Sequence, residues 1–258
     1  KNNLSNNSVE KKRDTKLNKK AGLISKIIKK VGKKYYPTRG KKIDRIIQII
    51  KNNSNHNVLS EESREEFNLI SEEFFCVDPL CGTVPYSNNL NSWGLTVSFF
   101  SGDKSVGAIA CPGIDESIYC DEDNVYLNGE IYKPNIEFPE MIDMTLCLEI
   151  EQGKNWSKLF QNELSWVNNF SYINSFASAV FPGLQIIKGN LPIMAIYKIS
   201  LEHVGGLISI GEKLGLKSTD IFGNDLKTDN LINDVPDWFI FGWPKVHEEL
   251  INLINNKE

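Results

Sequence analysis

The chain has 258 residues, of which 41% are hydrophobic and 24% charged, so a collagen, a coiled coil and a wholly disordered chain are excluded. No run approaches the about 20 apolar residues of a membrane-spanning helix, and the basic start of the sequence differs from an apolar signal peptide. The five cysteines are an odd, unclustered set, which argues against a secreted disulfide scaffold. We therefore predict a soluble, cytoplasmic protein with no transmembrane segment.

The net charge of −4 conceals two segments of opposite charge. Residues 1–42 carry 15 basic and two acidic residues, whereas the remainder carries 14 basic and 31 acidic residues. Such a basic arm is compatible with binding of nucleic acid or of an anionic membrane. Its only aromatic residues for base stacking are Tyr35 and Tyr36, so we do not expect either contact. We predict instead a flexible basic leader over residues 1–20.

The first predicted elements are helices. Apolar residues recur at helical spacing over residues 23–31 and again over 43–50. Residues 60–69 are also predicted to be helical, with Ser60 as the N-cap.

From residue 74 onward the apolar pattern is that of strands. A short buried strand is predicted to end in a turn at Asp78-Pro79, and turn signals at Gly102 and at Asn128-Gly129 indicate a meander of hairpins. The predicted strands of this half cover residues 74–77, 95–100, 106–111, 117–120 and 125–127.

In the second half, strands are predicted to alternate with helical stretches. These segments are residues 144–150, 156–167, 175–181 and 202–214, followed by a helix over 244–254. We predict a single layered α/β domain over residues 21–258, with an N-terminal half to about residue 140 and a C-terminal half over 141–258.

The segment FFCVDPLCGT, at residues 74–83, carries the chemistry of the sequence. Asp78 closes a buried strand, and the backbone amides of Gly82 and Thr83 follow the turn. Such amides can hold a phosphate, and a carboxylate can hold the cation that accompanies it. Glu61, 17 residues before Asp78, is a candidate for a second acidic contribution.

Three motifs resemble those of the inositol monophosphatase superfamily of metal-dependent phosphatases. The family elements G-E-E-[ST], W-x-x-D-P-[IL]-D-G-T and W-D-x-A-[AG]-G are similar to SEES at 60–63, CVDPLCGT at 76–83 and LEHVGG at 201–206. The resemblance implies a layered αβαβα sandwich, a small phosphorylated metabolite as ligand, and a homodimer, although no interface is identifiable from the residues.

The same resemblance implies which residues form the site. Mg²⁺ would be held by Glu61, Asp78 and the Leu80 carbonyl. The amides of Gly82 and Thr83 would receive the phosphate, and the Thr83 hydroxyl would orient water.

Two departures from the family motifs fall on the second metal site. Cys81 and Glu202 stand where the family has aspartates. A thiol is a poor ligand for Mg²⁺, and the longer glutamate displaces its oxygens, so Mg²⁺ is expected at one reduced site at most. Of the two residues Glu202 and His203, the resemblance implies that only Glu202 points into the pocket.

Three functions therefore remain open at this stage. The first is a remodelled site that binds a phosphorylated metabolite with two-metal ester hydrolysis weakened or lost. The second makes Cys81 a nucleophile for acyl or related group transfer, with Glu202 or His203 as base or orienting group. The third is a conventional Mg²⁺-dependent phosphatase acting on an inositol phosphate or a nucleotide 3'-phosphate.

We expect His56 and His247 to be solvated and the other four cysteines to belong to the core.

Overall fold

The computed structural model stacks two β-sheets with three layers of helices. The structure describes residues 15–32, 43–67, 72–140, 143–150, 153–160, 164–226, 228–233 and 235–255. The helices in these ranges are α1 (Lys16–Gly32), α2 (Ile43–Asn53), α3 (Thr83–Ser87), α4 (Gly153–Phe160), α5 (Val180–Ile187), α6 (Leu201–Leu214), α7 (Thr228–Asn233) and α8 (Pro244–Asn255). Among these helices, none combines the length and apolar character needed to cross a membrane.

The first sheet has seven strands in sequential order. They are β1 (Asn57–Ser60), β2 (Glu73–Cys81), β3 (Gly94–Ser101), β4 (Lys104–Cys111), β5 (Glu116–Cys120), β6 (Val125–Leu127) and β7 (Glu130–Ile131). β1 pairs with β2 in parallel, and every later pair is antiparallel. Tight turns connect β3 to β4 and β6 to β7, whereas α3 lies between β2 and β3. A 3-10 helix, Glu61–Glu66, follows β1.

The second sheet has five strands in mixed orientation. They are β8 (Thr145–Glu149), β9 (Tyr172–Asn174), β10 (Ile193–Tyr197), β11 (Lys217–Thr219) and β12 (Trp238–Gly242), in the order β11-β12-β10-β8-β9. Alternate residues of its strands join different cores. Met194 and Ile196 belong to the core around the first sheet, whereas Ile193 and Tyr197 belong to the core beneath α8.

Helices α5 and α6 form the central layer between the two sheets. α6 contacts β3 and β4 of the first sheet, and α5 contacts both β4 and β10. α1 and α2 cover the other face of the first sheet, and α8 lies against β12 on the outside of the second. This is the αβαβα sandwich that the family resemblance implies, and it confirms the layered α/β domain predicted from the sequence pattern.

Two glycines let α6 approach the first sheet closely. A Cβ built on Gly206 would lie 2.3 Å from Thr96 Oγ1 and 2.9 Å from the Ala108 carbonyl oxygen. A Cβ on Gly205 would lie 2.6 Å from Ser98 Oγ. Contact at this distance fixes the helix on the sheet and thereby fixes the residues of its first turn.

The predicted helices of the N-terminal half are confirmed except for the one over residues 60–69. α1 begins at Lys16, so the last five residues of the predicted leader are helical, and residues 1–14 lie outside the described ranges. Residues 57–60 pair with β2 as an edge strand, and the following turn is a 3-10 helix. A local apolar pattern does not report such long-range pairing.

Two predictions for strands are corrected. β2 continues through Pro79 to Cys81 rather than ending at Asp78. Residues 175–181, a strand in the predicted alternation, form a loop and the first turn of α5 instead.

The predicted helix over 156–167 is replaced by α4 and a 3-10 helix, Ser165–Asn169, while residues 161–163 lie outside the described ranges.

We expect Gly206→Ala to lower the free energy of unfolding by about 1–3 kcal/mol, because the added methyl group overpacks the contact between α6 and β3. Gly22→Ala is the matched control, since a Cβ at Gly22 in α1 meets nothing within 4 Å. That control should gain about 1 kcal/mol from helix propensity. Urea unfolding, monitored by tryptophan fluorescence, measures the free energy of unfolding of both variants. Equal free energies for Gly206→Ala and Gly22→Ala would contradict the close approach of α6 to the first sheet.

Candidate functional site

An irregularity at the end of β2 brings Asp78 and Cys81 to the same side of the sheet. In a regular strand, residues three apart point to opposite faces. Here the pairing of β2 with β3 shifts between Asp78 and Cys81, and Pro79, which has no N–H to donate, lies in the shifted segment. Candidate ligand atoms of Asp78, Cys81 and His203 consequently all lie within 4.8 Å of one another.

Asp78 is completely buried and both of its oxygens are engaged. Oδ1 accepts a hydrogen bond from the Leu80 amide at 2.9 Å. Oδ2 lies 2.7 Å from Nδ1 of His203, which comes from the first turn of α6. Because Nδ1 faces the carboxylate, Nε2 is the ring nitrogen that remains for a second partner.

The sulfur of Cys81 lies at the start of α5. The Ala179 amide donates a hydrogen bond to Sγ at 3.3 Å, and the Ser178 hydroxyl lies 3.7 Å from it. Cys81 and Ser178 are buried, whereas His203 is one-fifth exposed, so the site opens to solvent on the imidazole side.

Opposing influences set the protonation of the thiol. Burial raises the pKa of Cys81, and the charge of Asp78 raises it further. The hydrogen bond and charge of His203, together with the Val180 amide, lower that pKa without reversing the net rise above 9.0. These contacts resemble the surroundings of reactive thiols, but the burial is that of an inert one.

The imidazole is held in its charged form. Burial lowers the pKa of His203, but the hydrogen bonds with Asp78 and Cys81 outweigh it and raise that pKa well above 6.5. At neutral pH the site therefore contains a thiol beside an imidazolium, which is paired in turn with a buried carboxylate.

Glu202 does not point at Cys81, and this corrects the expectation that only Glu202 enters the pocket. Its carboxylate is buried and forms an ion pair with Arg64 of the 3-10 helix. The Arg64 guanidinium also donates to the Ile232 carbonyl oxygen at 2.5 Å. His203, the next residue of α6, takes the place beside Asp78.

The remaining predicted site residues lie around this cluster. Glu61 begins the 3-10 helix and is exposed. The Leu80 carbonyl oxygen lies 3.5 Å from the Thr83 hydroxyl. Gly82 has φ +92°, and a Cβ there would lie 3.0 Å from Ser178 Cβ, so glycine alone suits this connection between β2 and α3.

These residues do not fit a two-ion Mg²⁺ site. Mg²⁺ prefers oxygen ligands in octahedral geometry. Asp78 is paired with His203 and Glu202 with Arg64, while the other two side chains clustered with Asp78 offer sulfur and nitrogen. In the part of the chain that the structure describes, this is the one cluster of three potential metal-ligating side chains.

Sequence reasoning missed Arg64, Ser178 and Ala179. Arg64 directly follows the SEES motif, whose acidic residues are the ones that the family motif singles out. The available signal was therefore a basic residue next to that acidic motif. Ser178 and Ala179 carry no local signal, because their roles depend on where α5 begins.

The other histidines are less solvated than predicted. His247 is buried, and its Nε2 lies 2.8 Å from the Thr219 hydroxyl oxygen, while His56 is half-buried against Ser54 and Glu73. The core positions predicted for the cysteines are confirmed. These residues are Cys76, Cys111, Cys120 and Cys147.

No family model matches this chain, and no curated protein does. Solved structures do match it. An inositol monophosphatase from Anabaena (Nostoc) sp. has a TM-score of 0.78 and 18% identity, with 93% of this chain and 96% of that chain covered. Inositol monophosphatase-II of Staphylococcus aureus has a TM-score of 0.72 and 16% identity, covering 91% and 94%. The suhB protein of Bartonella henselae has a TM-score of 0.71 and 18% identity, covering 93% and 97%.

This chain therefore has the inositol monophosphatase fold. A related structure, SaIMPase-II with bound inositol monophosphate, matches with a TM-score of 0.70 at 18% identity, over 90% of each chain.

We expect Glu202→Gln to lower the free energy of unfolding by about 1–3 kcal/mol, because Arg64 would keep its charge without a partner. Glu212→Gln, an exposed site on the same helix, is the matched control and should change stability by less than about 0.5 kcal/mol. Chemical denaturation checks both, and a double-mutant cycle with Arg64→Gln should give a coupling of about 1 kcal/mol or more. If the destabilising effects of Glu202→Gln and Arg64→Gln simply added in the double variant, the result would contradict the ion pair.

Proposed function

We propose that this protein uses Cys81 as the nucleophile of an acyl or related group transfer, with two-metal ester hydrolysis lost. The observation that carries the proposal is the 2.7 Å contact between Asp78 Oδ2 and His203 Nδ1 beside the Cys81 sulfur. A nucleophile, a base and a group that orients the base form the arrangement by which such sites are recognised.

Each of the three residues has a distinct role in the proposed reaction. Asp78 accepts a hydrogen bond from the Nδ1–H group of His203, which fixes the tautomer and stabilises the imidazolium. In the neutral form of His203, which becomes populated as pH rises, Nε2 takes the thiol proton as the bond between Sγ and the acyl carbon forms. The leaving group then departs with the proton from Nε2, so that protons and charge balance. Attack by an acceptor hydroxyl or amine on the thioester, with its proton passing to Nε2, restores the thiol.

The donors that we assign to the developing oxyanion are the backbone amides of Gly82 and Thr83. They follow Cys81 directly, at a half-buried turn, and are therefore close to any carbonyl bonded to Sγ. Donors aimed at the developing charge supply a large share of catalysis in such sites.

The substrate class that we infer is a small phosphorylated metabolite that carries or accepts the transferred group. One consideration supports this class: a structural neighbour is named for bound inositol monophosphate. The one-fifth exposure of His203 gives the direction of entry.

A thiophilic metal ion is the second candidate ligand of the cluster, and one distance disfavours it. Nitrogen and oxygen ligands of tetrahedral zinc, each about 2.0–2.1 Å from the ion, lie about 3.3 Å apart. The Asp78 and His203 atoms are 2.7 Å apart, which is a hydrogen-bond distance. Binding would require this pair to separate.

We expect iodoacetamide to alkylate Cys81 in the folded protein, at a rate that rises from neutral to alkaline pH. The sign follows from the raised pKa of His203 and of Cys81, because the imidazole becomes a base, and the thiol a thiolate, only as pH rises. His203→Gln should lower the rate about 10²-fold by removing the base. Mass spectrometry of native-labelled peptides measures the rate.

Cys76→Ser is the control for alkylation, because Cys76 is buried in the same strand but lies outside the cluster of Asp78, Cys81 and His203. It should retain wild-type labelling of Cys81. A wild-type Cys81 that stays unlabelled across the pH range, while the unfolded chain is labelled, would overturn the proposal.

Acyl transfer from a thioester donor to a phosphorylated acceptor should proceed in the presence of EDTA and disappear in Cys81→Ser, since the nucleophile is sulfur and not metal-bound water. Phosphate release from inositol phosphate should be absent with or without Mg²⁺. Brisk Mg²⁺-dependent phosphate release that survives Cys81→Ser would instead establish the conventional phosphatase.

A further inference from the structure

A second buried carboxylate lies behind the proposed nucleophile. Glu149 ends β8 and is only 4% exposed. Its oxygens accept hydrogen bonds from the Phe176 amide at 2.6 Å, the Ala177 amide at 3.0 Å and the Ser175 hydroxyl at 2.8 Å. The Cys147 thiol, two residues earlier in β8, lies 3.5 Å from Oε1.

The residues that Glu149 holds form the loop that leads directly to the Cys81 sulfur. Ala177 has φ +51°, in the left-handed region that residues with a Cβ seldom adopt. The next two residues are Ser178 and Ala179, and the Ala179 amide donates to Sγ of Cys81 at 3.3 Å. The strained turn therefore aims the donors at the sulfur, and hydrogen bonds to Glu149 keep the turn in place.

Only a carboxylate satisfies this arrangement. Two amides, a hydroxyl and a thiol converge on one side chain, and an ionised carboxylate offers acceptors alone. A glutamine would direct its NH₂ group at one of those donors. Phe176 is half-buried, so the loss of the partner of its amide is unfavourable, whereas Ala177 is exposed.

We propose that Glu149 is a positioning residue for Cys81, which holds the loop of residues 175–179 so that Ala179 and Ser178 direct their donors at the sulfur. This inference rests on the proposed function, in which Cys81 is the nucleophile. Glu149 touches neither the sulfur nor His203 in the described contacts, so it acts through the loop.

The direct test compares the pH profile of Cys81 alkylation in the wild type and in Glu149→Gln. The midpoint of the profile reports the hydrogen bonds that stabilise the thiolate, whereas the plateau at high pH reports access of the reagent. We expect the midpoint to move about one pH unit in the alkaline direction, which is an about tenfold lower rate below the midpoint. If Glu149 merely stabilised the loop, the Glu149→Gln substitution would raise the plateau, because the reagent would gain access, and would leave the midpoint unchanged.

Leu148→Val is the matched control, because Leu148 is buried in the same strand but belongs to the core on the other face of the sheet. It should reduce stability and leave the alkylation midpoint at the wild-type value. Ser175→Ala removes one donor from the other side of the same contact, and should shift the midpoint in the same direction by a smaller amount.

Amide hydrogen exchange provides a readout that does not depend on the nucleophile. In Glu149→Gln, exchange at Ala177 and Ala179 should be faster than in the wild type, while Leu148→Val should leave these two amides unchanged relative to the rest of the chain. Unchanged exchange and an unchanged midpoint would overturn the role of Glu149. If wild-type Cys81 resisted alkylation altogether, the proposed function would fail, and exchange would still decide whether Glu149 holds the loop.

Discussion

The site depends on how the fold compensates the charge of buried carboxylates. In the part of the chain that the structure describes, three acidic side chains are buried: Asp78, Glu149 and Glu202. An ionised carboxylate removed from water requires a cation or a full set of hydrogen-bond donors. Asp78 is paired with His203, Glu202 with Arg64, and Glu149 with the donors of one loop. The partner of Asp78 lies beside Cys81, and the loop held by Glu149 leads to its sulfur, whereas the described contacts of Glu202 and Arg64 do not include Cys81.

The sequence carries enough information for the layered fold but not for the arrangement within the site. Local signals such as Asn128-Gly129 correctly place the hairpins, because turn chemistry depends on few residues. The pairing of β1 with β2 and the irregularity at Pro79 depend on distant strands. They decide that Asp78 and Cys81 share a face, which the spacing of three residues alone would contradict.

The orientation of the first turn of α6 could not be predicted for a related reason. Glu202 and His203 are adjacent, so they point about 100° apart on the helix. Which of them faces Asp78 depends on the rotation of the helix, and Gly205 and Gly206 set that rotation by contact with β3. Arg64 then explains the position of Glu202, because its charge gives the buried Glu202 carboxylate a partner away from the sulfur. A motif alignment shows which residue types occupy these two positions, but it does not show which of them faces Asp78 and which faces Arg64.

The same compensation is the physical basis for proposing sulfur chemistry rather than magnesium chemistry at this site. A cation bound between Asp78 and Glu202 would compete with His203 and Arg64, which already supply positive charge to both carboxylates. With these partners in place, the proposed function depends on the protonation of His203 and of Cys81. Burial and Asp78 favour the thiol, while the imidazolium and the amides at the start of α5 favour the thiolate. Correct placement of the loop before α5 keeps the Ala179 amide on the sulfur and so favours the thiolate, although the net pKa of Cys81 stays above its usual value. In the proposed function, the position of this backbone segment therefore contributes to the reactivity of Cys81.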